Sequence, residues 1–194
     1  GYLFESSDSW CRTIDIQVGP DGCVYVADFY EQRIDHASHY QGRVDRTSGR
    51  IYRIRSASEY SPVHFDATVS NTQLMSWQEH PNRWYRQTAL RLFGDRKDLS
   101  LIPQLISRLR NHTGQLALES LWAIHLTAGL SDELAIEAMQ HEDPYVRLWA
   151  TRLVCDNGQI SPALVKQLIR LAQHDPSLHV RCQLACSARR LPAD

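Results

Sequence analysis

A repeated segment in the second half of the chain restricts the fold more than any other feature of the sequence. Three segments each begin with His, contain a Pro and carry an Arg before an apolar run: residues 80–89, 141–150 and 174–185. A fourth, degenerate copy has Ser120 in place of the Arg. The equivalent positions 86, 120, 147 and 181 are 34, 27 and 34 residues apart. Self-similarity at such a period is typical of stacked antiparallel helix pairs.

Helix signals accompany the repeat. Asp143-Pro144 and Asp175-Pro176 each predict an N-cap carboxylate followed by Pro at the first helical position. Asn157-Gly158 predicts a helix end and Ser161-Pro162 the next start. Apolar residues at helical spacing follow, and they predict buried stripes that include Leu101, Ile102, Leu105, Ile106, Leu109, Leu134, Ala135, Ile136, Met139, Val146, Trp149, Ala150, Leu153, Leu164, Val165, Leu168, Ile169, Leu171, Ala172, Val180, Leu184 and Ala188. We therefore expect about four helix pairs over residues 73–194, each burying its stripe by stacking on its neighbours.

The first part of the chain alternates like β-strands. Strands are predicted over residues 13–18, 23–28 and 50–55, with a turn at Gly19-Pro20-Asp21-Gly22. If those four residues form the loop, Val18 pairs with Cys23 and Cys11 lies near Tyr30, so a Cys11–Cys23 disulfide is disfavoured. Residues 59–72 contain Ser61-Pro62 and no clear period, and they are interpreted as a linker.

Three short strands cannot form an independently stable sheet with both faces covered. Residues 1–58 therefore look like part of one β-propeller blade, with an unpaired edge and an exposed apolar face that other blades of the same protein would cover. The expected fold class is mainly α: an α-solenoid of helix pairs preceded by a partial blade of antiparallel strands.

Composition excludes several classes of function. The net charge of −1 argues against a nucleic-acid partner and against binding to an anionic membrane surface. No apolar run reaches the ~20 residues of a transmembrane helix. The five cysteines are an odd, sparse set without a Cys-x-x-Cys-His haem motif or zinc-ribbon spacing, so no metal site and no resident cofactor are expected in this chain. The chain opens on Gly1 without a signal peptide, and we expect a fragment or a processed product.

Both halves resemble known families. The starts of the second helices, such as Asp143-Pro144-Tyr145-Val146-Arg147, resemble bacterial HEAT-like repeats. The tetratricopeptide repeat has a similar period, but its first-helix Trp, Leu-Gly and Tyr pattern is missing. Residues 15–30, Arg33, His36 and residues 45–54 resemble the last part of the propeller in glucose/sorbosone dehydrogenase-like proteins, in particular the membrane-bound dehydrogenases of Planctomycetes.

This resemblance implies a function for a larger protein. Its members place HEAT repeats after the propeller, often followed by a c-type cytochrome domain. The chain is then the C-terminal portion of a quinoprotein-type sugar or alcohol dehydrogenase with pyrroloquinoline quinone (PQQ) and calcium between blades that lie outside this chain, and haem c in a separate domain. The solenoid would dock a protein partner or brace the propeller. The implied location is periplasmic or membrane-associated. The alternative function is a non-catalytic HEAT-repeat interaction module.

Asp28, Arg33 and His36 are the weak candidates for catalysis. They follow the second strand, and loops at blade ends carry function in propellers. His36 could act as a general base and Arg33 could bind an anionic cofactor. The structural alternative is an ion-paired loop in which Asp28 holds Arg33. The charges of Asp45, Arg46 and Arg50 are interpreted as turn and edge charges.

Polar and aromatic residues of the helical half are interpreted mainly as structural. His179, Cys182 and Cys186 have a spacing that could bind zinc, but core packing is the favoured interpretation. We expect a structural role near the turns between helices for His80, His141 and His174. Trp77, Trp84, Trp122 and Trp149 lie in the repeats; Trp122 and Trp149 occupy equivalent positions and predict core between repeats, with an exposed partner anchor as the alternative. Arg86, Arg147 and Arg181 are expected to pair with carboxylates of the same or the next repeat, for instance Asp143 or Asp175. The alternative is that they line a concave surface for an acidic partner.

Overall fold

The alternating segments at the start of the chain form an antiparallel sheet. A computed structural model describes residues 4–33, 35, 37, 40–42, 45, 47–57, 63–156 and 158–191 of the protein. The strands are β1 (Thr13–Val18), β2 (Val24–Asp28) and β3 (Arg50–Ile54), and they pair in that order. The three predicted strands are therefore confirmed to within one residue at each end.

The β1–β2 connection is one residue shorter than predicted. Val18 pairs with Val24, and the predicted Val18–Cys23 pairing is wrong. The amide of Gly19 donates to the carbonyl of Cys23 at 2.9 Å, so the loop contains three residues rather than four. Gly22 closes it with φ of +75°, the left-handed conformation that such three-residue hairpin loops need. The loop lengths differ because the sequence of the turn does not reveal which of its two glycines lies inside the ladder.

Eight α-helices follow in the described part of the chain. They are α1 (Asn71–Trp77), α2 (Arg83–Arg96), α3 (Ile102–Asn111), α4 (Gly114–Ala128), α5 (Asp132–Ala138), α6 (Pro144–Cys155), α7 (Pro162–His174) and α8 (Leu178–Ala188), with a 3₁₀ turn at Leu99–Leu101 before α3. The mainly helical fold preceded by a three-stranded antiparallel sheet is therefore confirmed.

Side-chain caps begin several of these helices. Ser70, Ser131 and Ser161 each accept a hydrogen bond from the amide three residues later, and Asp143 accepts from the amide of Tyr145 at 2.8 Å. The predicted starts at Asp143-Pro144 and Ser161-Pro162 are confirmed. The start predicted at Asp175-Pro176 is two residues early: Asp175 accepts from the amide of Ser177 at 2.9 Å, as Asp143 does from Tyr145, but α8 begins only at Leu178. Asn157 of the predicted stop lies outside the described residues.

The helices pack in pairs, and the pairs pack on one another. Contacts join α3 to α4, α5 to α6 and α7 to α8 within pairs, and α4 to α6, α5 to α7 and α6 to α8 between pairs. The predicted apolar stripes supply most of the core between them, with Leu105, Leu109, Leu121, Met139, Val146 and Val180 fully buried. The exceptions are Val165, Ile169, Ala172 and Ala188, which lie exposed on α7 and α8.

The chain divides into two compact units. One contains Gly1–Ala67 together with Pro81–Tyr85, and the other contains Thr68–His80 together with Arg86–Asp194. Within the first unit, the side-chain amide of Asn82 donates to the carbonyl of Gly19 at 2.8 Å. The linker predicted over residues 59–72 stays a prediction.

Candidate functional site

The carboxylate of Asp28 lies at the end of β2 and is almost fully buried. It accepts hydrogen bonds from the backbone amides of Arg12 at 2.8 Å and Tyr30 at 2.9 Å, and from the hydroxyl of Tyr52 at 3.3 Å. Three separate segments therefore converge on one side chain. A buried carboxylate with several donors is satisfied without any ligand.

The electrostatic setting keeps Asp28 ionised. Burial raises the pKa of its carboxyl, but the hydrogen bonds from Arg12, Tyr30, Cys11 and Tyr52 outweigh burial and hold the pKa below its ordinary value. A general acid or base near neutral pH needs a pKa shifted in the opposite direction. The arrangement is that of a structural acceptor rather than of a proton-transfer group.

Arg33 does not pair with Asp28, so the predicted Asp28–Arg33 ion pair is wrong. The Nε of Arg33 lies 2.6 Å from Oδ2 of Asp35, and its side chain is 74% exposed. Asp28 has other donors instead: Oδ1 accepts from the amides of Arg12 and Tyr30, and Oδ2 accepts from the hydroxyl of Tyr52. His36 lies outside the described residues. Of the three candidates, the described structure therefore brings no two into contact.

An aromatic and cationic group surrounds Asp28 that the sequence analysis missed. The guanidinium of Arg50 lies 4.3 Å from the ring centre of Tyr30 and donates to the hydroxyl of Tyr52 at 2.9 Å. Tyr30 has φ of +54°, an uncommon conformation for a residue with a side chain. Asp28 pairs with Arg50 across β2 and β3, but the sequence predicted a pairing only for the first two strands, so the neighbourhood of Arg50 was not foreseen.

The interpretation of Asp45 as a turn residue is confirmed. Its carboxylate accepts from the hydroxyl of Ser48 at 2.6 Å and from the amide and hydroxyl of Thr47, each at 2.8 Å. Hydrogen bonds from Ser48 and Thr47 lower the pKa of Asp45 to about 2. Arg46 lies outside the described residues.

In the helical unit, the repeated arginines link consecutive repeats. The Nε of Arg86 lies 3.2 Å from Glu119 on α4. Arg147 donates from Nε and Nη2 to both carboxylate oxygens of Asp175, at 2.8 and 3.0 Å. The predicted pairing with a carboxylate of the next repeat is confirmed for these two arginines. Planar guanidinium groups suit such two-pronged bonds.

Each arginine of this series also binds the turn of its own pair. Arg86 donates to the carbonyl of His80, Arg147 to that of His141 and Arg181 to that of Asp175, always six residues back. Asp175 therefore occupies the place of the two histidines, and the predicted equivalence of His174 is wrong by one residue. The reason is an extra residue between the turn and the Arg in that copy.

The structural role expected of His141 is confirmed. Its Nε2 lies 3.0 Å from the carbonyl of Leu109, and its Nδ1 accepts from the amide of Asp143 at 3.0 Å. Asp143 in turn accepts from the amide of Gly114 at 2.6 Å, which joins the start of α6 to the start of α4.

Other singled-out residues divide between core and surface. Trp122 and Trp149 meet edge to face with ring centres 4.8 Å apart, so the predicted contact between repeats is confirmed. Cys182 and Cys186 are exposed, and the predicted core packing is wrong for both. They lie on the side of α8 opposite to the buried Val180 and Ser187. His179 stacks on Tyr145 with ring centres 5.7 Å apart.

The apolar face of the sheet is open, as predicted. Along β1, Ile14, Ile16 and Val18 are exposed, and Ile16 alone is 62% exposed. By strand alternation, Ile16 and Val18 share a face with Val24 and Val26, which lie opposite them on β2. Phe4, Ile14, Ile16, Val26 and Ile54 line a groove of about 470 Å³ in this region. Exposed contiguous apolar surface of this kind marks interaction sites.

Comparison with known proteins gives one match. A profile described as "Domain of unknown function (DUF7133)" matches residues 2–58, the part that contains the sheet. No curated protein matches the chain. No solved structure matches it either.

The described residues include neither a metal-binding cluster nor a helix that could cross a membrane. No group of three or more His, Cys, Asp or Glu side chains is arranged to hold a metal ion. None of the helices described combines the length and apolar character that crossing a bilayer requires.

Proposed function

We propose that this chain is a docking part of a larger protein, in which further strands or sheets cover its β-sheet. The observation that carries the proposal is the exposed apolar face of the sheet at Ile14, Ile16 and Val18. Three strands with one such face are too small to be stable alone, and packing against neighbouring sheets is the usual solution. The helical unit would brace this assembly or dock a protein partner.

The larger protein that we propose is a quinoprotein-type dehydrogenase of sugars or other alcohols. Support comes from the resemblance of residues 15–54 to the end of a glucose/sorbosone dehydrogenase-like propeller, followed by repeats that resemble HEAT. Its other blades are the proposed partners of the sheet. The same resemblance supports an exported protein, periplasmic or attached to the membrane.

The residues described here do not fit a PQQ or calcium site by themselves. Both oxygens of Asp28 already accept hydrogen bonds, Oδ1 from the amides of Arg12 and Tyr30 and Oδ2 from the hydroxyl of Tyr52. Arg33 is bonded to Asp35. Any quinone, calcium ion or haem of the larger protein would therefore be held by other parts of it, and no step of its chemistry is assigned to this chain.

A non-catalytic interaction module is the second candidate. The non-catalytic module is favoured because Asp28, the one buried acid among the candidates for catalysis, serves as a structural hydrogen-bond acceptor. In this case the helical unit carries the function and the sheet serves only as an attachment.

The docking of the sheet can be tested by a substitution whose effect depends on context. In the 194-residue chain, Ile16→Glu should change the free energy of unfolding by no more than about 0.5 kcal/mol, because the side chain is exposed. In the complete gene product, burial of the charge should cost about 3 kcal/mol or more. Thermal and urea unfolding of both proteins measure the difference.

Leu99→Glu is the matched control, because Leu99 is equally exposed but lies in the helical unit. It should be neutral in both proteins. An effect of Ile16→Glu that is the same in both proteins would remove the support for docking of the sheet.

The dehydrogenase assignment has its own test. The complete gene product, supplied with PQQ and calcium, should reduce a dye acceptor with at least one member of a sugar and alcohol panel. Absence of dye reduction by a correctly folded, quinone-loaded protein would favour the non-catalytic module.

A further inference from the structure

Of the helix pairs in the described part of the chain, α7 and α8 expose the surface that the preceding pair buries. Ser131 and Ser161 cap α5 and α7 in the same way, so these two helices can be compared position by position. Ala135 and Met139 of α5 are 1% and 0% exposed. The equivalent Val165 and Ile169 of α7 are 38% and 52% exposed.

The second helices of the two pairs differ in the same way. Counted from Arg147 and Arg181, Ala150 and Thr151 of α6 correspond to Leu184 and Ala185 of α8. The two residues of α6 are fully buried, whereas Leu184 is half-buried and Ala185 is exposed. The difference has a direct cause, since α7 packs on α5 and α8 packs on α6.

An apolar groove of about 380 Å³ results between α7 and α8. Its lining includes Leu168, Ile169, Leu184, Ala185 and Leu191. The groove continues the stacking interface that already joins the earlier pairs, so the shape it offers is that of a site for one more helix pair.

Arg181 adds a charge to this groove. Arg86 and Arg147 each bind a carboxylate of the following repeat, Glu119 and Asp175. Arg181 lines the groove and bonds only the carbonyl of Asp175, and no carboxylate of the described residues lies within ion-pair distance of it. The position that the next carboxylate would take is therefore open.

The net charge of this end of the helical unit selects the partner. Residues 158–191 contain five Lys and Arg residues, of which Arg190 pairs with Asp156 and Arg170 borders a different groove beside Glu142. Lys166, Arg181 and Arg189 remain, whereas the one carboxylate of this segment, Asp175, already binds Arg147. Two copies of such a surface would repel each other. An acidic surface would be attracted.

We propose that the α7–α8 groove binds an acidic amphipathic helix pair of a partner protein, which stacks as α7–α8 stacks on α5–α6 and presents a carboxylate to Arg181. The inference gives a partner class to the docking role proposed for the helical unit and does not depend on the sheet.

A labelled synthetic peptide with the sequence of residues 158–191 serves as the probe. It carries Lys166→Glu, Arg170→Glu, Arg189→Glu and Arg190→Glu to make it acidic, and Cys182→Ser and Cys186→Ser to prevent oxidation. Fluorescence anisotropy should show binding to the full 194-residue chain, with a gain of helix content by circular dichroism.

Arg181→Gln in the chain should weaken binding about tenfold, the effect of one hydrogen bond between charged groups. A probe that also carries Asp175→Asn should bind about tenfold more weakly to the unchanged chain. When this probe is combined with the Arg181→Gln chain, the affinity should fall little further than with either change alone. Arg189→Gln removes the same charge outside the groove and should change binding less than twofold.

Ile169→Asp gives a second, independent test of the groove. It should abolish probe binding while the thermal unfolding of the chain stays unchanged. Absence of binding to the unchanged chain, or equal losses from Arg181→Gln and Arg189→Gln, would overturn the proposal. So would a dimer of the chain alone that Ile169→Asp dissociates, since a second copy would then be the occupant. Failure of the sheet to dock leaves all these outcomes unaffected.

Discussion

At the scale of single residues, Arg147 does more for the helical unit than its charge suggests. It bonds both oxygens of Asp175, whose side chain is only 2% exposed, and the carbonyls of His141 and Glu142. One side chain therefore joins the turn of its own pair to the turn of the next. Removing one member of a buried pair leaves the other without compensation, which costs more than the pair itself contributes.

We predict that Arg147→Gln lowers the free energy of unfolding by about 3 kcal/mol or more, because Asp175 stays buried without its partner. Arg147→Lys should recover only part of the loss, since an ammonium group cannot form the fork. Urea unfolding of the full chain measures both. Arg110→Gln is the control: its pair with Glu137 is exposed and should contribute no more than about 1 kcal/mol. Equal losses at the two sites would contradict the prediction.

The same residue predicts a dependence on pH. Burial raises the pKa of Asp175, but the hydrogen bonds and charges of Arg147, Ser177 and Arg181 outweigh it and lower the pKa below 3.8. A lowered folded-state pKa means that the unfolded chain binds the proton more readily. The ionised Asp175 therefore contributes its full stabilisation of the fold at a pH above its unfolded-state pKa. This contribution is lost as the pH falls through the folded-state pKa of Asp175.

The Asp175→Asn variant should accordingly be less stable than the unchanged chain at neutral pH. Between about pH 5 and pH 3 its free energy of unfolding should fall less than that of the unchanged chain. Urea midpoints across this range measure the two slopes. An exposed carboxylate changed in the same way, Asp95→Asn, should leave the slope of the unchanged chain intact. Parallel curves for Asp175→Asn and the unchanged chain would refute the assignment.

At the scale of elements, Asp143 combines two tasks at the start of α6. Its Oδ1 caps the helix through the amide of Tyr145, and its Oδ2 accepts from the amide of Gly114 at the start of α4. Gly114 has φ of +64°, so a neighbouring acceptor also helps to fix an unusual backbone conformation.

The two tasks can be separated by substitution. Asp143→Ala should cost about 2 kcal/mol, since cap and cross-helix bond are both lost. Asp143→Ser keeps a capping oxygen and should recover about 1 kcal/mol of that loss. Urea unfolding measures the total loss in free energy of unfolding for each variant. Hydrogen exchange of the Tyr145 amide then reports the loss of the cap, and exchange of the Gly114 amide reports the loss of the bond between α4 and α6. If both amides stay equally protected in Asp143→Ser, the link between α4 and α6 is not carried by this carboxylate.

Local signals predicted the elements well, and signals that depend on distant partners did not. The cap at Ser161 was predictable because the serine and the amide it bonds are three residues apart. The start of α8 was placed two residues early because Asp175 does accept from the amide of Ser177 as a cap would, and no local signal shows that the helix begins only at Leu178. The hairpin register failed by one residue because either glycine of the turn could close the loop.

The candidate site was less predictable than the fold. Asp28 was correctly singled out, but its donors come from Arg12, Tyr30 and Tyr52, which are distant or lack any motif. Cys182 and Cys186 have the same helical spacing as core residues, and only the packing of α8 shows that they face outward. The spacing of residues along one helix shows which of them share a face, but it does not show whether that face points to the core or to solvent.

At the scale of the whole molecule, stacking makes the stability of each helix pair depend on its neighbours. In such repeats, stability is close to a sum of intrinsic terms and nearest-neighbour interfaces. The α5–α6 pair has neighbours on both sides, through α4 and through α7 and α8. Among the described helices, the α7–α8 pair packs on one earlier pair and leaves its other face open. Equivalent positions in the two pairs are therefore chemically alike but energetically different.

Met139 and Ile169 give the sharpest test of this difference. Met139→Asp places a carboxylate where nothing is exposed and should cost about 4 kcal/mol or more. Ile169→Asp occupies the equivalent position on the open face, where the side chain is 52% exposed, and should cost no more than about 0.5 kcal/mol. Urea unfolding compares the two, and hydrogen exchange should be faster in α8 than in α4 or α6. Similar losses at both positions would mean that α7 is covered in solution by a surface of the chain itself, and that the repeat stack does not end in an open face.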